Sequence, residues 1–290
     1  MAKLINFNNI SELDPTIITF GNFDGFHLGH KSIVELLINQ SQIHNCKTAV
    51  IIFNPHTKSV LNRHANLKEI SPYDYKISLL RFSKLDYIIT INFDDKFSKI
   101  SPLNFIQLII AKTKPKLFVM GYDNKFGFNG LGNYTFLQKE LQNNYPEIGI
   151  IKFDEFKFKG EIVKSSIIRK LIHEGNIKKA NIFLGSNFKI TGNIIEGKKV
   201  GSSIGFPTAN LKMKYIEQIL PMHGVYCVNL ILGKESFRGL CNIGYRPTFN
   251  DQTDNVSIET HLLNKEISLY GKEVGIEFLF FVRKEIKFNS

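Results

Sequence analysis

Cysteine is scarce in this chain. Cys46, Cys227 and Cys241 are the only three among 290 residues. The number is odd and no two are spaced C-x-x-C. That argues against a disulfide framework and against a thiolate zinc site, and it fits a reducing compartment. Long apolar runs are missing too: no stretch approaches the roughly 20 residues needed to cross a bilayer. Residues 1–15 lack the basic-then-apolar pattern of a signal peptide. The expectation is a soluble, cytoplasmic protein with no membrane partner. Arginine is rare: of 37 basic residues only Arg63, Arg81, Arg169, Arg238, Arg246 and Arg283 are Arg. With 26 acidic residues the formal net charge is still +11. Nucleic acid selects clustered basic surface, whereas these lysines are scattered. The chain is also rich in Ile, Asn and Phe, which, like Lys, have A/T-rich codons. The charge is therefore read as composition. No nucleic-acid partner is expected, although a basic surface suits the handling of anionic nucleotides.

What is present is enough for two domains. The length is comfortable for two, and 43% hydrophobic residues supply real cores. In the first half, short apolar runs at Thr16–Phe20, Ala49–Phe53, Tyr87–Ile91, Leu117–Met120 and Ile148–Phe153 read as strands. Between them, residues from His30 to about Gln40, Asp74–Phe82 and Leu103–Ala111 have helical spacing. Such alternation predicts a parallel sheet with crossover helices. Ser165–Leu184 reads as helix broken at Gly175-Asn176, and Gly185-Ser186-Asn187 as a linker. Beyond it the texture changes. Phe188–Ile195, Gly224–Leu232, Phe237–Asn242, Val256–Leu262 and Val274–Val282 read as strands between Gly-, Pro- and Asn-containing turns, which predicts a small antiparallel barrel.

The most informative segment is Gly21-Asn22-Phe23-Asp24-Gly25-Phe26-His27-Leu28-Gly29-His30, between a strand and a helix. Parallel sheets bind ligands at the carboxyl ends of their strands. A helix amino end there offers free N–H groups and a positive dipole end to phosphate. Gly21, Gly25 and Gly29 allow close backbone approach. His27 and His30, three apart, share a face and suit hydrogen bonding to phosphate oxygens as charge builds. H-x-G-H alone is compatible with two ordinary histidines beside a glycine turn; the longer run in its strand–turn–helix setting favours chemistry.

This run resembles the signature of the adenylyltransferase domain of prokaryotic bifunctional riboflavin kinase/FMN adenylyltransferases, the FAD synthetases. Asn54-Pro55-His56 resembles the family's PHP loop. Gly121-Tyr122-Asp123 with Phe126-Gly127 resembles its G-x-D-F-x-F-G run, and Ser165-Ser166-Ile167-Ile168-Arg169 its S-S-T-x-I-R motif. Thr57, Asn124, Gly130 and Ile167 depart from the pattern. In the second half, Gly205-Phe206-Pro207-Thr208-Ala209-Asn210-Leu211 follows Gly197 and Gly201. Thr208 and Asn210, two apart, point the same way in an extended segment, and a hydroxyl with an amide carbonyl suits Mg²⁺. By itself this stretch reads as a glycine hairpin. It nevertheless resembles the riboflavin kinase signature, and so, in family order, do His223–Tyr226, Asn242–Thr248, Ile258–Leu262, Leu269–Gly271 and Arg283–Glu285. Ser202 replaces a family Arg. Family members continue into a C-terminal helix, whereas this sequence ends at Ser290.

The resemblance implies an α/β Rossmann-like nucleotidyltransferase domain over residues 1–185 and a small antiparallel β-barrel, riboflavin kinase-like, over residues 186–290. It implies ATP-dependent phosphorylation of riboflavin to FMN, then adenylyl transfer from ATP to FMN, giving FAD and pyrophosphate. The alternative is that only one activity survives. His27 and His30 are then catalytic, as is Glu259, the base facing the riboflavin 5′-hydroxyl. Gly21, Phe23, Asp24, Gly25, Gly29, Asp123, Ser165, Ser166, Arg169, Gly197, Gly201, Gly205 and Pro207 bind nucleotide, and Thr208 and Asn210 bind the metal. The expected partners are small molecules, with a monomer or weak oligomer as the assembly. A flavin- or RNA-binding protein with decayed chemistry is a third reading, which intact His27, His30, Thr208, Asn210 and Glu259 oppose.

Overall fold

The computed structural model describes residues 1–61, 68–196, 208–245, 256–263, 267 and 269–285. Gly197, Gly201, Ser202, Gly205 and Pro207, and Arg246, Pro247 and Thr248 of the 242–248 motif, lie outside the described residues. The chain divides into two compact units. One is Met1–Leu67 with Ser71–Lys164; the other is Lys68–Ile70 with Ser165–Ser290.

The first unit is built on a sheet of six strands: β1 (Lys3–Asn6), β2 (Thr16–Gly21), β3 (Lys47–Asn54), β4 (Tyr87–Asn92), β5 (Pro115–Gly121) and β6 (Gly149–Phe153). Their order is β1-β4-β3-β2-β5-β6, and every pairing is parallel. The helices are α1 (Leu28–His44), α2 (Thr57–Leu61), α3 (Tyr73–Arg81), α4 (Asp95–Ser98), α5 (Pro102–Thr113) and α6 (Tyr134–Asn144). Side chains alternate between the two sheet faces, and each face has its own core. Ile17, Val50, Ile52, Ile88 and Val119 pack with Val34 and Leu37 of α1 and Ile77 and Leu80 of α3. Ile18, Ile51, Ile89, Phe118 and Met120 pack with Phe105, Ile106 and Ile109 of α5 and Leu137 and Leu141 of α6. The sheet is thus covered on both faces, which is why its strands read as continuous apolar runs. The strand order reverses between β2 and β5, and a doubly wound sheet opens its ligand crevice at such a point.

The expected strands and helices of this half are all present. Elements beyond them include the short α2 and α4, β1, whose four residues are mostly exposed, and α6, a polar helix anchored by two leucines. The visible signal for α6 is its cap: Asn133 Oδ1 accepts from Phe136 N at 3.0 Å. A hairpin of β7 (Lys157–Phe158) and β8 (Glu161–Ile162) closes the unit.

In the second unit α7 (Ser165–His173) and α8 (Ile177–Leu184) precede β9 (Phe188–Ile195), β10 (Thr208–Met213), β11 (Gly224–Leu232), β12 (Glu235–Tyr245), β13 (Val256–Leu262) and β14 (Glu273–Arg283). The strands close a barrel in the order β10-β13-β12-β11-β14-β9, antiparallel throughout. Closure leaves no sheet edge to protect. The core includes Ile190, Tyr226, Val228, Leu230, Cys241, Ile243, Ile276 and Phe278, all fully buried. The segment Lys68–Ile70 joins this unit: Glu69 N donates to Glu217 O at 2.7 Å and Ile219 N to Glu69 O at 2.8 Å.

Gly185-Ser186-Asn187 is an ordered turn. Gly185 takes the left-handed conformation, φ 63°, that ends α8. Asn181 then clamps α8 to the barrel. Its Nδ2 donates to Phe278 O at 2.8 Å, and its Oδ1 accepts from Phe188 N at 2.8 Å. Replacing Asn181 by Ala orphans a backbone donor and an acceptor together. We expect Asn181→Ala to destabilise the protein by about 2 kcal/mol, read as a lower denaturation midpoint; an unchanged midpoint contradicts the clamp.

Candidate active sites

In the first unit the loop between β2 and α1 turns within a few residues. Phe23 (φ 49°), Gly25 (φ 83°) and Phe26 (φ 37°) all lie in the left-handed region, a costly conformation for two phenylalanines. Burial holds it: Phe23 is 3% and Phe26 6% exposed, both within a core. Hydrogen bonds hold it as well. Ser71 N donates to Asp24 Oδ1 at 3.0 Å, and Gly25 N donates to Ser71 Oγ at 2.8 Å. Asp24 is therefore buried against a backbone N–H, and the structure shows it shaping the loop.

His27 is the N-cap of α1. Its Nδ1 accepts from His30 N at 3.4 Å. The rings of His27 and His30 stack, with centroids 3.7 Å apart and planes 16° from parallel, and Phe23 lies against His30 at 4.8 Å. Gly29 makes room for this pair: a Cβ there would meet the His27 ring at 3.2 Å and Phe156 Cβ at 3.3 Å. The expected cluster of Gly21, Phe23, Asp24, Gly25, His27, Gly29 and His30 is thus one structure at the carboxyl end of β2. Burial, reinforced by His27 and then by Lys76, holds the His30 imidazole well below its usual pKa. Its Nδ1 is buried without a hydrogen-bond partner among the described residues.

Lys76 is a site neighbour that sequence reasoning missed. It is 1% exposed, on the face of α3 that buries Ile77 and Leu80. A buried lysine is rare; the available signal was a lysine within the apolar stripe of Tyr73, Ile77 and Leu80.

Two departures from the family pattern have local explanations. Thr57 N donates to Asn22 Oδ1 at 3.2 Å, and Asn22 Nδ2 donates to Thr57 Oγ1 at 2.9 Å. A proline at 57 has no N–H for the first bond. Asn124 Nδ2 donates to Phe20 O at 2.9 Å, tying the loop after β5 to the end of β2. Asp123, in that loop, is exposed, with Lys164 Nζ 4.0 Å away. Lys164 also lies 3.2 Å from Glu155. Glu155 accepts from the Tyr122 hydroxyl at 2.8 Å, and with Lys164 that bond holds its carboxyl below the usual range.

Ser165, Ser166 and Arg169 lie on α7 in the second unit, Ser166 exposed and the other two half-buried. On the barrel, Asn210 is the register partner of Glu259, and Glu259 of Asn242. Thr208 pairs with His261. Alternation assigns these residues to one face. Ile258, Thr260 and Leu262 are buried inside, at 3%, 1% and 8% exposure, while Glu259 and His261 between them are half-buried. Cys241 points inward from β12. Burial pushes its thiol up to about 12, so it is no nucleophile at neutral pH. The structure thus brings Thr208, Asn210 and Glu259 onto one face of the barrel wall, with Thr208 exposed, Glu259 half-buried and Asn210 buried. The cross-strand row Asn210–Glu259–Asn242 adds Asn242, a motif residue to which the sequence assigned no role.

The two units define a nucleotidyltransferase-type α/β fold followed by a six-stranded kinase-type barrel. Family models agree: FAD synthetase matches residues 9–167 and riboflavin kinase matches residues 184–290. The chain is 32% identical to the bifunctional riboflavin kinase/FMN adenylyltransferase of Buchnera aphidicola from Schizaphis graminum, over 100% of this chain and 93% of that protein. It is 32% identical to the Bacillus subtilis enzyme of the same name, over 96% of this chain and 88% of that one. The Escherichia coli K12 enzyme is 29% identical over 100% and 92%. A crystal structure from Streptococcus pneumoniae, described as a macrolide-efflux protein, superposes with a TM-score of 0.89 at 24% identity, covering 99% of this chain and 93% of that one. That likeness concerns the fold. Among the described residues no helix is long and apolar enough to cross a membrane. The chain belongs to the bifunctional riboflavin kinase/FMN adenylyltransferase family.

The packing of His30 yields a pH prediction. An imidazole whose folded pKa lies below the unfolded value of about 6.5 binds fewer protons when folded. Its contribution to stability is therefore complete above that value and is lost as pH falls through it toward the folded pKa. We expect the His30 ring ¹⁵N shifts to stay those of a neutral imidazole on acidification to about pH 6. Titration at or above the ordinary value contradicts the stacked, buried arrangement.

Proposed function

We propose that the chain phosphorylates riboflavin with ATP to give FMN, then transfers an adenylyl group from ATP to FMN, releasing pyrophosphate and forming FAD. The observation that carries this reading is that each signature lies on its matching fold. The stacked histidines cap a helix at the switch point of a parallel sheet, and Thr208, Asn210 and Glu259 share a face of a closed barrel. In this reading residues 1–185 serve adenylyl transfer and residues 186–290 the kinase step. The protein works in the cytoplasm as a monomer or weak oligomer, with small molecules rather than nucleic acid as partners.

In adenylyl transfer the FMN phosphate attacks the ATP α-phosphorus in line and pyrophosphate leaves. There is no covalent intermediate, so catalysis is positioning and charge stabilisation. The amino end of α1 with His27 and His30 donates hydrogen bonds to the transferring phosphate. Gly21, Phe23, Asp24, Gly25 and Gly29, in the loop before α1, bind the nucleotide. Asp123, the hydroxyls of Ser165 and Ser166, and the Arg169 guanidinium contribute to holding the nucleotide.

In the kinase step Glu259 takes the proton of the riboflavin 5′-hydroxyl as that oxygen attacks the ATP γ-phosphorus, the bond to the β–γ bridging oxygen breaks and ADP leaves. Thr208 and Asn210 offer oxygen donors only, with the Glu259 carboxylate in the same row, a set that suits Mg²⁺ bound mainly through water and phosphate. They would hold that ion, which would neutralise charge on the transferred phosphate. By the resemblance alone, Gly197, Gly201, Gly205 and Pro207 are assigned to binding the nucleotide in this half.

Separating flavins by chromatography after incubation with ATP and Mg²⁺ tests the two sites independently. His30→Ala should abolish FAD formation from FMN and leave FMN formation from riboflavin nearly intact. Glu259→Gln should slow FMN formation about 10²–10⁴-fold and leave supplied FMN to become FAD. Thr208→Ala should raise the Mg²⁺ and ATP concentrations needed for the kinase step. Equal loss of both activities in folded His30→Ala protein contradicts the two-site assignment.

A further inference from the structure

We propose that Asn242 binds the flavin substrate of the kinase step: its side-chain carbonyl accepts a hydrogen bond from a ribityl hydroxyl next to the one that Glu259 deprotonates. This deepens the kinase reading above and rests on it.

Asn242 is directly opposite Glu259 across the β12–β13 ladder, and Glu259 is opposite Asn210 across β13–β10. Directly opposed residues carry their Cβ atoms roughly 5 Å apart on one face. Groups that Glu259 and Asn242 touch are therefore close neighbours on a ligand, as successive hydroxyls of a polyol are.

Asn242 also carries an orphaned atom. Asn242 Oδ1 is buried without a partner among the described residues, whereas Nδ2 donates to Glu285 Oε1 at 3.3 Å. Glu285 accepts only, so it fixes which end of the amide faces it. Glu285 follows β14, and β14 reaches β12 through β11, on the side away from β13. With the nitrogen turned toward Glu285, the oxygen is left for the side where Glu259 stands. Gly244 explains how Glu285 lies there: a Cβ at 244 would collide with the Glu285 carboxylate. A buried carbonyl left unpaired is costly, and a substrate donor relieves that cost.

Charge selects the donor. A carbonyl beside two carboxylates is a poor place for phosphate, which brings acceptors and negative charge. It suits a neutral hydroxyl, and riboflavin's ribityl chain presents several.

The test is steady-state FMN formation by the full chain, with riboflavin and with analogues lacking the ribityl 3′- or 4′-hydroxyl. For Asn242→Ala we expect the riboflavin KM to rise about three- to tenfold, the worth of one neutral hydrogen bond, with kcat and the KM for ATP nearly unchanged. The wild-type protein should show a similar loss with one of the two analogues, and Asn242→Ala should no longer distinguish that analogue from riboflavin. Three results overturn the inference: a wild type indifferent to both hydroxyls, a variant that keeps the full discrimination, or a variant whose Mg²⁺ requirement rises instead. If Asn242→Ala does not fold, the wild-type analogue arm and Asn242→Ser decide. A wild type that forms no FMN from riboflavin overturns the kinase reading itself, and the inference with it, and does so without reference to residue 242.

Discussion

The adenylyl-transfer half turns on a small reciprocal hydrogen bond. The Asp24 carboxylate accepts the Ser71 N–H, and the Ser71 hydroxyl accepts the Gly25 N–H. All three residues are buried, where each unpaired group would cost about 1–3 kcal/mol. The pair holds the loop in its left-handed turn, and the turn delivers His27 to the cap of α1. The stack of His27 on His30 and the space left by Gly29 follow from that placement. The segment that supplies Ser71 comes from β3's side of the sheet, so a contact between residues 47 positions apart sets the local geometry.

The barrel uses a different device. Strand register, rather than a loop, aligns its polar residues: Asn210, Glu259 and Asn242 come from three strands and share a row because the ladder puts them opposite one another. A slip of one residue in any pairing would turn a side chain to the barrel interior. The buried inner residues Ile258, Thr260, Cys241 and Ile243 on the same strands oppose such a slip. Core packing in this unit is therefore what keeps the row aligned.

Most of the fold was legible in the sequence. The parallel strands are buried on both faces, and the apolar runs that follow stand out without tertiary information. Five barrel strands also announced themselves by alternation and turn residues, and only β10 did not. The signal failed where an element depends on partners. β1 is short and largely exposed, and exists because β4 offers it an edge. α6 buries only Leu137 and Leu141, too few for a clear period. The turn at Gly185-Ser186-Asn187 resembled a linker by composition, yet Asn181 and Asn187 bond across it, and α7 and α8 pack with the barrel unit.

The sequence by itself determined the family, the class of both domains and the chemical types at each candidate site. Those are carried by short local runs whose spacing survives without a fold. Tertiary structure alone decided what each of those side chains faces. Asp24 is one of the residues expected to bind nucleotide, and only the fold shows that its carboxylate also accepts the Ser71 N–H. Lys76 was given no role and is buried beside His30. Asn242 was an unassigned motif letter, and register makes it the neighbour of Glu259. Burial and cross-strand pairing are relations between distant residues, and no local pattern encodes them.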